Sequence, residues 1–272
     1  MSYMELLAEA RRDVDAAIEV WRQLIQERLS DRIEYAILKG SGIKTWESPV
    51  DYVPMISDID IHMGTKDRMP LFPETRGGFL YSLETNRLYE MKFKETRPDH
   101  LHLPRPQVVV MNESRGDWLP ERPEEVKLLF GEVPLKPEES VEHLRARDLN
   151  ELAGLGPLLA QLPVQVIDRI DLEYYRVLRM LCYVVSPTPI RVLSQFADPK
   201  HMWTLNRTNV LRLLERSGFQ GIAEPYREYY LTGWKAFTEG FRDNETMRQL
   251  ITHAYDVLYA SYDAVREKVE KR

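Results

Sequence analysis

Apolar residues recur at intervals of three and four through the first thirty positions. Leu6, Leu7, Ala10, Val14, Ala17, Ile18, Trp21, Leu24, Ile25 and Leu29 fall on one side of a helical projection, which predicts an amphipathic helix over residues 3–29. Ser30 and Asp31 break that pattern, and residues 33–38 then read as a short strand running into Lys39-Gly40-Ser41-Gly42. After a loop containing Pro49 and Pro54, residues 57–63 (Ser-Asp-Ile-Asp-Ile-His-Met) alternate with period two and read as a second strand. Residues 79–92 place Phe79, Leu80, Leu83, Leu88 and Met91 roughly on one side and suit a helix. Pro98, Pro104 and Pro106 bound a loop before Gln107–Met111, whose three valines favour a buried strand.

The pattern changes after that strand. Residues 112–137 hold Pro120, Pro123, Pro134 and Pro137 and read as a connecting region around Leu129-Phe130-Gly131-Glu132. From Glu138 onward helical periodicity dominates, over roughly 138–161, 165–185, 189–197, 206–217, 222–241 and 243–270. The expected architecture is an α/β (α+β) N-terminal domain with a mixed sheet over residues 1–137, followed by an all-helical domain over 138–272.

Composition narrows the possibilities. Of 272 residues, 43% are hydrophobic and 29% charged, a globular balance that excludes disorder and collagen-like repeats. Lys and Arg number 37 against 43 Asp and Glu, a net charge of −6 that disfavours nucleic acid as a partner. No apolar run reaches the ~20 residues of a membrane helix. Acids stand near the N-terminus where a signal peptide would carry positive charge, and the single cysteine, Cys182, suits a reducing compartment; a cytoplasmic protein is expected. Cys182 lies in an apolar helical stretch and reads as a buried structural thiol.

Candidate chemistry centres on Asp58 and Asp60. Two apart on a strand, their carboxylates leave the same face while Ile59 and Ile61 point into the core. Such a pair repels unless cations relieve it, and divalent ions held there can shield a leaving phosphate. Gly40 and Ser41 close the preceding strand, where glycine permits a tight turn and neighbouring amides and hydroxyl can bind phosphate oxygens. An apolar strand ending in Gly40-Ser41, sixteen intervening residues, then Asp58-Ile59-Asp60-Ile61 resembles the nucleotidyltransferases of the DNA polymerase β superfamily.

Within that superfamily the chain is most similar to the aminoglycoside adenylyltransferases. Ser57 directly precedes the acid pair, Arg105–Val110 followed by Leu128–Glu132 looks like their third catalytic strand and its trailing segment, and a helical domain closes the chain. The resemblance implies that Gly40 and Ser41, supported by Ser57, bind the phosphates of ATP or another nucleoside triphosphate, and that Asp58 and Asp60 hold Mg²⁺. It implies transfer of a nucleoside monophosphate to a hydroxyl of a small molecule, with an aminoglycoside-like acceptor suggested by the resemblance, in a cleft between the two domains. A protein or RNA acceptor is a further alternative.

One position departs from the family. Its third strand supplies an acid that acts as base or helps hold metal, and Gln107 stands there; an amide cannot take a proton at neutral pH. Three explanations stay open. Asp99 or Glu113 fills the role; His62, His100 or His102 serves instead; or the chain binds nucleotide with little or no transfer. Other motifs carry less. Gly40-Ser41-Gly42-Ile43-Lys44-Thr45 lacks the adjacent Gly-Lys of a P-loop, which excludes a Walker-type site. His100 and His102 alone are a weak metal signal. The ring stripes Tyr226, Tyr230, Trp234, Phe237, Phe241 and Tyr255, Tyr259, Tyr262 read as helix packing, with base or acceptor stacking as the alternative. Arg191, Lys200, Arg207, Arg212 and Arg216 outnumber Asp198 and Glu215 and read as a charged helix surface or a triphosphate-facing one.

Overall fold

The computed structural model describes residues 2–66, 70–111, 125–132 and 139–270. It is a mixed α/β chain with a four-stranded mixed sheet and a helical C-terminal region. The chain separates into two compact units: residues 1–44 with 57–137, and residues 45–56 with 138–272.

In the first unit, helix α1 (Tyr3–Leu24) starts at a capping box in which the Ser2 side chain accepts from Glu5 N and the Glu5 side chain accepts from Ser2 N. Its apolar stripe is buried from Leu6 to Leu24, and a π-turn over Ile25–Leu29 carries the last two predicted positions, Ile25 and Leu29, into the core. The sheet has the order β3-β2-β1-β4, built from β1 (Ile33–Lys39), β2 (Ile59–Thr65), β3 (Pro106–Val110) and β4 (Lys127–Gly131). β1 runs antiparallel to β2 and to β4, while β2 and β3 are parallel. The parallel pair needs a crossover, which α2 (Arg76–Thr96) supplies. Strand β4 falls in the segment expected to be only a connection.

The second unit is helical: α3 (Val141–Ala153), α4 (Leu155–Val166), α5 (Glu173–Val185), α6 (Thr188–Ser194), α7 (Pro199–Thr204), α8 (Arg207–Arg216), α9 (Gln220–Thr238) and α10 (Asn244–Glu270). The expected helix over 138–161 is broken at Gly154 into α3 and α4. The expected helix over 165–185 begins only at Glu173. Helix α7 was not anticipated; it starts at an Asp198 cap followed by Pro199. Among the described residues no helix is long and apolar enough to cross a membrane.

Candidate functional site

Register brings the predicted residues together. Asp60 on β2 lies directly opposite Lys39 on β1 and Gln107 on β3, so the three side chains share one face of the sheet. Ile59 and Ile61, pointing the other way, are fully buried and lock that alternation, because a one-residue slip would bury the carboxylates instead. Asp58 sits one step before the strand.

Gly40 follows Lys39 with φ of 73°, in the left-handed region that glycine adopts without a Cβ penalty. A Cβ built there would overlap Asp60 Oδ2 and stand 3.3 Å from Asp60 Cγ. The Gly40–Gly42 turn, closed by Ile43 N donating to Gly40 O at 3.4 Å, is thus pressed against the Asp60 carboxylate. Ser57 is buried, 3% exposed, at the approach to β2. Gly40→Ala is expected to cost about 1–2 kcal/mol of backbone strain and to push the Asp60 carboxylate aside. Its urea midpoint should fall modestly and, if the acid pair holds a divalent ion, its Mn²⁺ affinity should fall more steeply. Equal, small losses in both would mean that Gly40 serves only the turn.

Gln107 reaches both acids. Its amide nitrogen donates to Asp58 Oδ2 at 3.0 Å and to Asp60 Oδ1 at 3.2 Å, the orientation that avoids setting the amide oxygen against carboxylate oxygens. The residue at the third-strand position therefore bridges the pair. The Arg105 guanidinium makes an ion pair with Asp58 Oδ2; the two side chains are 32% and 15% exposed, so this is not a fully solvated pair. Among the described residues no group of three or more His, Cys, Asp or Glu side chains gathers to hold a metal ion.

The open base candidates are placed differently from one another. His62 continues the Asp58–Asp60 face, buried opposite Ile37 and Val109. His102 is engaged elsewhere: its Nδ1 meets Asp13 Oδ2 on α1 at 3.2 Å, and burial pushes its pKa below the usual histidine value. His100 Nδ1 bonds Arg97 O at 2.7 Å and its ring packs edge-on against Phe93. Asp99 is exposed in the turn after α2. Glu113 lies outside the described residues.

Asp13 organises the approach to β3. Oδ1 accepts from Arg97 Nε at 3.1 Å and from its Nη2 at 3.0 Å. Oδ2 accepts from Leu101 N and His102 N, both at 2.9 Å. Tyr89 on α2 donates its hydroxyl to Pro104 O, and Ile59 N donates to Arg105 O at 2.9 Å. Residues 97–105 are thus fastened at successive points, and the last of them delivers Arg105 and Gln107 to the acid pair. Burial alone would raise the Asp13 pKa, but bonds from His102 and Arg97 hold it below the usual carboxylate value. Sequence reasoning missed this clasp, although an acid at position 13 between Ala10, Val14 and Ala17 on the buried stripe was a readable signal.

The loop between the Gly-Ser turn and the acid pair is part of the helical unit. Asp51 is buried and accepts from Thr208 N at 2.9 Å and Thr208 Oγ1 at 2.6 Å, and from Glu47 N at 2.7 Å. Arg207 donates to Asp51 O at 2.9 Å and lies over the Tyr230 ring; Trp234 donates to Pro49 O at 2.8 Å; Arg179 donates to Met55 O at 2.9 Å. Arg191 pairs with Glu151 at 3.2 Å and Arg212 with Glu47 at 2.7 Å. Three of the five basic residues read as a possible triphosphate face therefore hold their own unit together. Tyr226, Tyr230 and Trp234 are core residues, and Cys182 is buried with Sγ donating to Arg179 O at 3.1 Å. Comparison with protein-family models, with curated proteins and with solved structures gives no match for this chain.

Proposed function

We propose that the acid pair and the Gly-Ser turn form a metal-dependent nucleotide site, and that the chain is a nucleotidyltransferase acting on a hydroxyl-bearing acceptor. The observation that carries this reading is the packing of a left-handed Gly40 against the Asp60 carboxylate, with Asp58 and Gln107 completing one cluster on the sheet face. No side chain fits at Gly40 beside the Asp60 carboxylate, and a glycine there lets a phosphate approach the backbone near the point where a cation would sit.

The donor set fits a hard divalent ion such as Mg²⁺. Asp58 and Asp60 offer carboxylate oxygens, and rotation of the Gln107 amide would add a neutral oxygen ligand in place of the nitrogen. When bound, the ion supplies charge neutralisation for the triphosphate and its leaving pyrophosphate. Gly40 and Ser41 would cradle the phosphates, with Ser57 in support. Asp58 and Asp60 would orient the ion. His62, two residues beyond Asp60 on the same strand face, is one candidate to take the acceptor's proton.

Gln107 favours a second reading, a nucleotide-binding module with little or no transfer, because the resemblance would put a proton-accepting carboxylate at that position and an amide cannot take the proton. One experiment separates the two. Wild type is incubated with α-labelled ATP, Mg²⁺ and a panel of hydroxylated small molecules, and pyrophosphate release and label transfer are followed. The transferase reading expects transfer by wild type, raised about tenfold or more in Gln107→Glu, since a positioned base contributes ~10²–10⁴-fold. Saturable nucleotide binding with no transfer by either protein would leave the module. Absence of nucleotide binding would end both.

A further inference from the structure

The protein occupies its own acid pair with two of its own donors. Arg105 supplies a full positive charge to Asp58 Oδ2, and Gln107 supplies an amide hydrogen to that same oxygen and to Asp60. A bare divalent ion entering there must compete with the Arg105 guanidinium for Asp58 Oδ2 and sit beside its positive charge, and breaking a partly buried ion pair is costly. A divalent ion arriving on a triphosphate carries anionic oxygens to which the freed guanidinium can turn, and guanidinium and phosphate match bidentately. The backbone at Arg105 is pinned, with its carbonyl accepting from Ile59 N at 2.9 Å, so only the side chain has to swing.

We infer that Arg105 is a positioning residue that couples metal entry to nucleotide entry, opposing free divalent ions and favouring the metal–triphosphate complex. The inference rests on the proposed nucleotide site and names how that site would choose its ligand. Such coupling is reciprocal: the factor by which nucleotide strengthens metal binding is the factor by which metal strengthens nucleotide binding. It also differs from a structural ion pair, because loss of a merely structural counter-ion would loosen the site for every ligand.

The test is calorimetric titration of wild type, Arg105→Met and Arg105→Lys with Mn²⁺ alone and with Mn²⁺ plus a non-hydrolysable ATP analogue. Methionine keeps the length of the stem and removes the charge; lysine restores the charge without the fork. Arg105→Met should bind Mn²⁺ alone about tenfold more tightly than wild type, the scale of one charge-assisted bond, and bind Mn²⁺ with the analogue more weakly. Arg105→Lys should resemble wild type toward Mn²⁺ alone. An unchanged or weakened Mn²⁺ affinity in Arg105→Met, with binding still measurable, would overturn the coupling and leave the nucleotide site standing. No Mn²⁺ binding by any of the three proteins, with or without analogue, would overturn both.

Discussion

On the proposed transferase reading, Asp60→Asn is expected to lower nucleotidyl transfer by at least about 10³-fold, on the order of 4 kcal/mol of transition-state stabilisation, while leaving the protein at least as stable as wild type. The substitution is nearly isosteric, so the Gly40 turn keeps its neighbour and the Gln107 amide keeps an oxygen to which it can donate. What it removes is one negative charge from a pair of carboxylates close enough for a single amide nitrogen to reach both. Two such charges repel one another in the absence of a cation. Arg105 offsets the charge at Asp58 and relieves only part of that repulsion, so losing one charge lowers it further in the metal-free protein and would remove a ligand in the loaded one. Opposite signs for activity and stability are the mark of a side chain kept for chemistry. The measurements are pyrophosphate release under saturating Mg²⁺ and ATP, and the urea midpoint without metal. Retained transfer in Asp60→Asn would remove the acid pair from the mechanism whatever its stability.

Much of the sheet unit could be read from the pattern of residues, and for a physical reason. Strong periodicity identifies an element when one face is buried, as it does for α1 and for the Asp58–Met63 alternation. The register of β3 was less accessible, yet Gln107 does face Asp60. Strand β4 escaped because Leu128-Leu129-Phe130 has no alternation: Leu129 is buried while Leu128 stays 47% exposed at the sheet edge. The opposite error affects residues 165–172. Val164, Ile167, Ile170 and Leu172 have near-helical spacing, but they are exposed, and only Val164 belongs to a helix. Periodicity identifies a face without saying what covers it.

The site divides in the same way. Gly40, Asp58 and Asp60 were legible because strand alternation and a glycine turn are local properties. Arg105, the Asp13 clasp and the docking of residues 45–56 were not, because each depends on a partner far along the chain. Asp13 waits for Arg97 and His102, more than 80 residues on. Asp51 waits for Thr208, 157 residues on. No spacing rule connects such pairs. The buried polar residues Asp13 and Asp51 carry the hint only as exceptions to the expectation that charge stays outside.

Asp13→Ala should destabilise the sheet unit by about 3–5 kcal/mol, the range for removing one partner of a buried charge network. The carboxylate takes bonds from Arg97, from the backbone amides of Leu101 and His102, and from the His102 ring. Alanine leaves those amides without their acceptor in a largely buried region, and each orphaned buried donor costs about 1–3 kcal/mol. The loss also has a pH signature. The folded pKa of Asp13 lies below its ordinary 3.8, so its stabilisation is complete above that value and disappears as pH falls through the folded pKa. The His102 pKa is depressed below 6.5 by burial, so protonation of the unfolded chain erodes stability as pH falls from 6.5 toward the folded value, and acidification weakens the fold through both groups. Urea unfolding of wild type and Asp13→Ala between pH 8 and pH 3 should therefore show a wide gap near neutrality that narrows below about pH 4. A gap that stayed constant with pH would mean that the Asp13 charge contributes nothing. Because the clasp also delivers Arg105 and Gln107 to the acid pair, the proposed nucleotide site predicts that Asp13→Ala weakens Mn²⁺–nucleotide binding under conditions where the variant remains folded.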